Sequence, residues 1–108
     1  MRSSSTFACA LALAALFSCA GAAAQDNATA KARELAATLC STCHGADGTS
    51  PVDLYPNLRQ QKAIYLEKQL KDFRDGRRKD PVMNNMAAPL DDALIRALAE
   101  HFSRGARP

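Results

Sequence analysis

Five residues constrain this chain more than any others: Cys40, Ser41, Thr42, Cys43 and His44. Two cysteines three apart, with a histidine directly after the second, read as an attachment site for a c-type haem. The spacing has a mechanical basis. On a helical turn, positions i and i+3 share a face, so both thiols can meet the two vinyl groups of one porphyrin and become thioethers. The adjacent imidazole then reaches the iron from below, where haem iron is commonly held by histidine. Two other chemistries use a C-x-x-C pair. A zinc site needs further thiolates or imidazoles at a second, similar spacing, and beyond residue 24 the chain offers no other cysteine and only one other histidine, His101. A thioredoxin-like dithiol needs βαβ patterning around it, and no strand pattern is present.

The 108 residues allow one domain at most. Met1-Arg2 gives a positive start, Phe7 to Ala24 is almost wholly apolar or small, and Ala22-Ala23-Ala24 forms an A-x-A site before Gln25. This predicts a secretory signal peptide over residues 1–24 and a domain over 25–108, not a retained membrane anchor. Cys9 and Cys19 would leave with the leader; Cys19 after Leu16-Phe17-Ser18 loosely matches a lipoprotein box, which Phe17 fits poorly. Loss of Arg2 takes the 14 Lys and Arg to 13, against 11 Asp and Glu, leaving a net charge near +2. Two haem propionates would bring it near zero, so a general affinity for nucleic acid is not supported. A chain this short buries little core without staples, so the apo form is expected to fold poorly.

Asp26-Asn27 is placed to cap a helix over 28–43, with Ala32, Leu35, Ala36 and Leu39 on its apolar face. The small residues there would admit a second helix at close range. Gly45 to Leu58, with Pro51 and Pro56, predicts a long irregular loop, which needs a reason such as wrapping one side of a haem. A helix over 63–75 follows, with Ile64, Leu66, Leu70 and Phe73 as apolar positions and Gly76 suited to its end. Lys68, Lys71, Arg74, Arg77, Arg78 and Lys79 form a basic cluster, either a solvated helix end or a docking surface for an acidic redox partner. Asp80 to Leu90 reads as irregular, and Asp91 caps a last helix over 92–104 with Leu94, Ile95, Leu98 and Phe102 inward. No internal repeat is present, so one haem is expected.

Several stretches together resemble the bacterial class I cytochromes c, and most closely one half of the periplasmic two-haem members and their short single-haem relatives. They are Cys40 to Gly48, Tyr55-Pro56-Asn57-Leu58, Tyr65 to Phe73, Met83-Asn84-Asn85-Met86 and Pro89-Leu90-Asp91-Asp92. The resemblance implies an all-α fold of three to four helices around one covalent haem c, with the first and last helices packed together. It implies that Cys40 and Cys43 hold the porphyrin, that His44 is the proximal iron ligand, and that the Pro56 carbonyl accepts the second imidazole N–H. It implies Met83 as the distal ligand, with Met86 the internal competitor. Two departures stand out: Arg59-Gln60 where the family often has glycine, and His101 in place of the first of an aromatic pair, with Phe102 the second. His101 has three readings: packing in that aromatic's place, facing solvent, or ligating iron.

With both axial positions filled, the expected function is one-electron transfer in the periplasm and not catalysis. The expected partners are a periplasmic dehydrogenase, an oxidase or a membrane electron-transfer complex, met by a monomer without stable membrane insertion. The alternatives are a permanent haem-bearing subunit of such a complex and, further off, a haem peroxidase or ligand sensor, which would need a vacant distal position.

Overall fold

Six apolar side chains form the centre of the structure: Ala32, Ala36, Leu66, Leu98, Ala99 and Phe102. They come from three helices, and the arrangement follows from which residues are small. A computed structural model describes the backbone of residues 8–105 and the side chains of residues 20–105. The positive start of the expected leader, and the side chains of Cys9 and Cys19, lie outside the described residues. The elements in order are α1 (Ala8–Leu35), a π-helical turn (Ala36–Cys40), α2 (Ser41–His44), α3 (Ala63–Arg74), α4 (Pro81–Ala87) and α5 (Asp92–Ser103). The architecture is all-helical, as expected. α1 packs against α5, and α3 packs against both α5 and α4. Ala32, Ala36 and Ala99 are nearly inaccessible, so the α1–α5 contact is made by side chains that end at Cβ and let the backbones approach. Among the described residues, no helix is long and apolar enough to cross a membrane.

Four local expectations need correction. α1 does not begin at Asp26-Asn27 but runs through them, because the alanine-rich stretch before them carries the helix without a break. Leu39 is 45% exposed and Ile64 78% exposed, so neither belongs to the inner face. On α3 the inward line is Leu66 and Phe73, both buried, with Leu70 half-buried between them, and Ile64 falls on the opposite side. Asp80 to Leu90 is not irregular throughout. Asp80 accepts hydrogen bonds from the N–H groups of Val82 (3.0 Å) and Met83 (2.8 Å), and Pro81 occupies the first turn, where its missing N–H costs nothing. The Asp-Pro pair is a helix start; seven residues are too few for apolar periodicity to reveal it.

The other boundaries agree. Asp91 caps α5 by accepting from the N–H of Leu94 at 2.8 Å. Gly76 follows α3 with φ of 75°. Residues 45–62 carry no regular helix.

Candidate haem site

The site is built at the end of the first helical rod. At Ala36–Cys40 the backbone widens, and the N–H of Ser41 reaches back to the carbonyl of Ala36, five residues earlier. A π turn uses one more residue than an α turn for about the same rotation. Its effect is on direction: His44 is brought back toward the line of Ala32 and Ala36 and is 6% exposed. Leu39 is turned outward. Cys40 and Cys43 lie half-buried as free thiols, and burial pushes the Cys40 thiol above its usual range.

His44 has one partner. Its Nδ1 lies 2.8 Å from the carbonyl oxygen of Pro56. A carbonyl only accepts, so Nδ1 carries the hydrogen and Nε2 holds the lone pair. Among the described residues no buried side-chain nitrogen or oxygen lacks a partner, so Nε2 opens onto accessible space. A free nitrogen beside two free thiols is a donor set that suits a thioether-linked haem. Among the described residues no three His, Cys, Asp or Glu side chains converge in a way that could hold a bare metal ion.

The loop after His44 is shaped to deliver Pro56. Gly45 has φ of 85° and ψ of 152°, a region open essentially to glycine alone. A Cβ there would fall 1.9 Å from the Thr49 carbonyl oxygen. The Ser50 hydroxyl reaches the Cys43 carbonyl at 3.3 Å, and its N–H donates to Asn57 Oδ1 at 2.7 Å. The Gly48 carbonyl accepts from the N–H groups of both Leu58 (2.7 Å) and Arg59 (3.0 Å). Arg59 pairs with Asp47 at 2.7 Å. Tyr55 sets its ring 6.3 Å from that of His44. None of this network beyond Pro56 was anticipated from sequence. The departure at Arg59-Gln60 leaves the loop closed: Gln60 itself takes a positive φ of 60° and donates its N–H to the Phe102 carbonyl at 3.0 Å.

The structure gathers Cys40, Cys43, His44 and Pro56 into one group. Met83 lies on α4, half-buried, while Met86 is 37% exposed. His101 sits edge-on to Phe102 with ring centroids 5.0 Å apart. Partial burial, with the positive charge of Arg33, lowers its pKa. The basic cluster is largely matched internally. Lys68 and Arg77 bind Asp72, Lys71 binds Glu67, and Arg74 binds Asp75 and Asp92. Arg78 donates to Gln69 and lies 4.5 Å over the Phe73 ring. Lys68, Lys71, Arg74, Arg77 and Arg78 thus each have an acidic or polar partner within the chain.

The cytochrome c family model matches residues 29–103. Cytochrome c-554(548) of Halomonas halodenitrificans is 43% identical over 67 residues, covering 59% of this chain and 81% of that one. A thiosulfate dehydrogenase electron acceptor of Thiomonas intermedia is 44% identical over 69 residues, covering 63% of this chain but 32% of the relative. Among solved structures, reduced cytochrome c4 from Pseudomonas stutzeri superposes with a TM-score of 0.64 at 33% identity, over 73% of this chain and 49% of that one. The chain thus spans most of the first relative and half or less of the other two. With a thiol pair and an oriented imidazole at the end of the first of two crossed helices, the chain belongs to the cytochrome c family, as a class I electron-transfer protein that carries haem c and matches one half of a two-haem cytochrome c4.

Proposed function

We propose that the chain is a periplasmic one-electron carrier holding a single haem c between His44 and Met83. The observation that carries this reading is the Nδ1 hydrogen bond of His44 to Pro56. It presents Nε2 as a lone pair, keeps the ring from turning, and makes that nitrogen a stronger donor. Cys40 and Cys43 would fix the porphyrin by two thioethers. The Met83 thioether would close the opposite face, which leaves no position for substrate or dioxygen and separates the reading from a peroxidase or sensor. The resemblance of the Met83-Asn84-Asn85-Met86 stretch to the family's loop supports it over Met86, the more exposed of the two. The haem supplies a reversible one-electron iron couple, set higher by a histidine–methionine pair than by two histidines. Residues 1–24 serve as the leader; its removal after Ala24 places Asp26-Asn27 at a new helix start, where both can cap.

A permanent subunit of a periplasmic dehydrogenase is the second reading. What supports it is the likeness to the thiosulfate dehydrogenase electron acceptor. Co-purification with a dehydrogenase through high salt would favour it over a free carrier.

The test is intact mass and a ferric absorption spectrum of protein exported in a haem-maturing host. The expected mass is the chain from Gln25 plus one haem, and the expected spectrum carries the weak red-region band of sulfur-ligated iron. Met83→Ala should abolish that band and Met86→Ala should leave it. Colourless, well-folded protein overturns the reading, and loss of the band in Met86→Ala alone reassigns the ligand.

A further inference from the structure

Asn84 directly follows Met83 and uses its side chain fully on one side of the helix. Its Nδ2 donates to the Phe73 carbonyl at 2.7 Å and to the Arg78 carbonyl at 2.8 Å, and its Oδ1 accepts the Asp80 N–H at 2.9 Å. Only one amide orientation satisfies all three, since the flipped form would set an oxygen against two carbonyls. The two carbonyls belong to the last turn of α3 and the turn after it, where backbone acceptors have no partner within the helix. That anchor is itself firm: the Arg78 N–H returns to the Asp72 carbonyl at 3.0 Å. α4 is therefore bolted to α3 at one residue, with its rotation about its own axis fixed.

Rotation matters because α4 carries two thioethers three residues apart, Met83 half-buried and Met86 37% exposed. Positions i and i+3 differ by about 60° around a helix and about 4.5 Å along it, so a modest turn of α4 with a slide of less than one helical pitch exchanges one sulfur for the other. We propose that Asn84 is a positioning residue that sets the rotation of α4 and so selects Met83 over Met86 as the sulfur ligand. This rests on the His44–Met83 reading above.

The experiment compares Asn84→Ala and Asn84→Asp with the parent holoprotein. The aspartate has the same outline but cannot donate to the two carbonyls, and it carries the test if the alanine variant does not mature. The ferrous protein is followed by proton NMR for the methyl of its ligand methionine, moved upfield by the porphyrin ring current. Imidazole binding to the ferric protein, which waits on loss of sulfur, is timed. The parent should show one methyl signal, absent in Met83→Ala. Each Asn84 variant should show a second signal that vanishes on adding Met86→Leu, and imidazole should bind about tenfold faster, as expected for losing at least one good hydrogen bond. Ile95→Val, which trims the buried face of α5 away from α4, should lower the melting temperature yet keep a single signal. A single unchanged signal in the Asn84 variants overturns the selection role. A signal that survives Met83→Ala overturns the ligand assignment instead.

Discussion

Replacing Gln60 with glycine should stabilise the protein, and the size of the gain follows from the backbone. Gln60 is the one non-glycine residue at positive φ among the described residues. It cannot relax, because its N–H is held by the Phe102 carbonyl at the end of α5. A side chain in this left-handed region costs about 1–2 kcal/mol. Glycine removes that strain but gives back about 0.5–1 kcal/mol through the greater freedom of the unfolded chain. Gln60 is exposed, so losing its side chain forfeits no packing. The expectation, at the middle of those ranges, is a gain of about 0.8 kcal/mol, or roughly 3–6 °C in melting temperature for a domain of this size. Denaturant unfolding of the ferric holoprotein, followed by far-ultraviolet circular dichroism, would show a higher midpoint at unchanged slope. Gln60→Ala keeps the strain and should move the midpoint little. Gln60→Val should lose about 1 kcal/mol or more, since a β-branched side chain tolerates this region least. A glycine variant no more stable than the parent, or a neutral valine variant, would refute the reasoning.

Gly45→Ala should prevent maturation: its Cβ would meet the Thr49 carbonyl oxygen at 1.9 Å, at a cost of more than about 3 kcal/mol. The yield of haem-bearing protein from a matched expression measures it. His101 governs a pH dependence. Burial first, then Arg33, holds its pKa below 6.5 in the folded protein. The unfolded chain therefore takes up a proton at a pH where the folded one does not, and stability should fall as pH drops through that interval and level off below it. His101→Phe should flatten this fall, read as melting temperature across the interval; an unchanged profile would assign the dependence elsewhere.

The parts legible in the sequence were those with a fixed local grammar. The C-x-x-C-H run marks a thiol pair and an imidazole by spacing alone, and Asp91 before an apolar-periodic run marks a cap. The small residues Ala32 and Ala36 pointed to a close helix crossing, which α5 supplies. What escaped was set by contacts between distant segments. Nothing local tells that Gln60 must bend left-handed; the Phe102 carbonyl, far along the chain, imposes it. Asn84 looks like any polar residue in a short loop until the end of α3 is placed beside it. The Asp80-Pro81 pair is a local signal for a helix start, but the seven residues after it are too few to show apolar periodicity.

The widened turn at Ala36–Cys40 bears on how a chain of this kind tolerates insertions and deletions. It stores one residue beyond what an α-helix needs, at nearly constant angle. Trimming a residue from that turn would return it to α geometry with the haem-binding end still aimed as before. The same loss a few residues upstream, within α1, would swing that end by about 100°. Length is thus negotiable at one place in the rod, and that place lies directly before the cysteines.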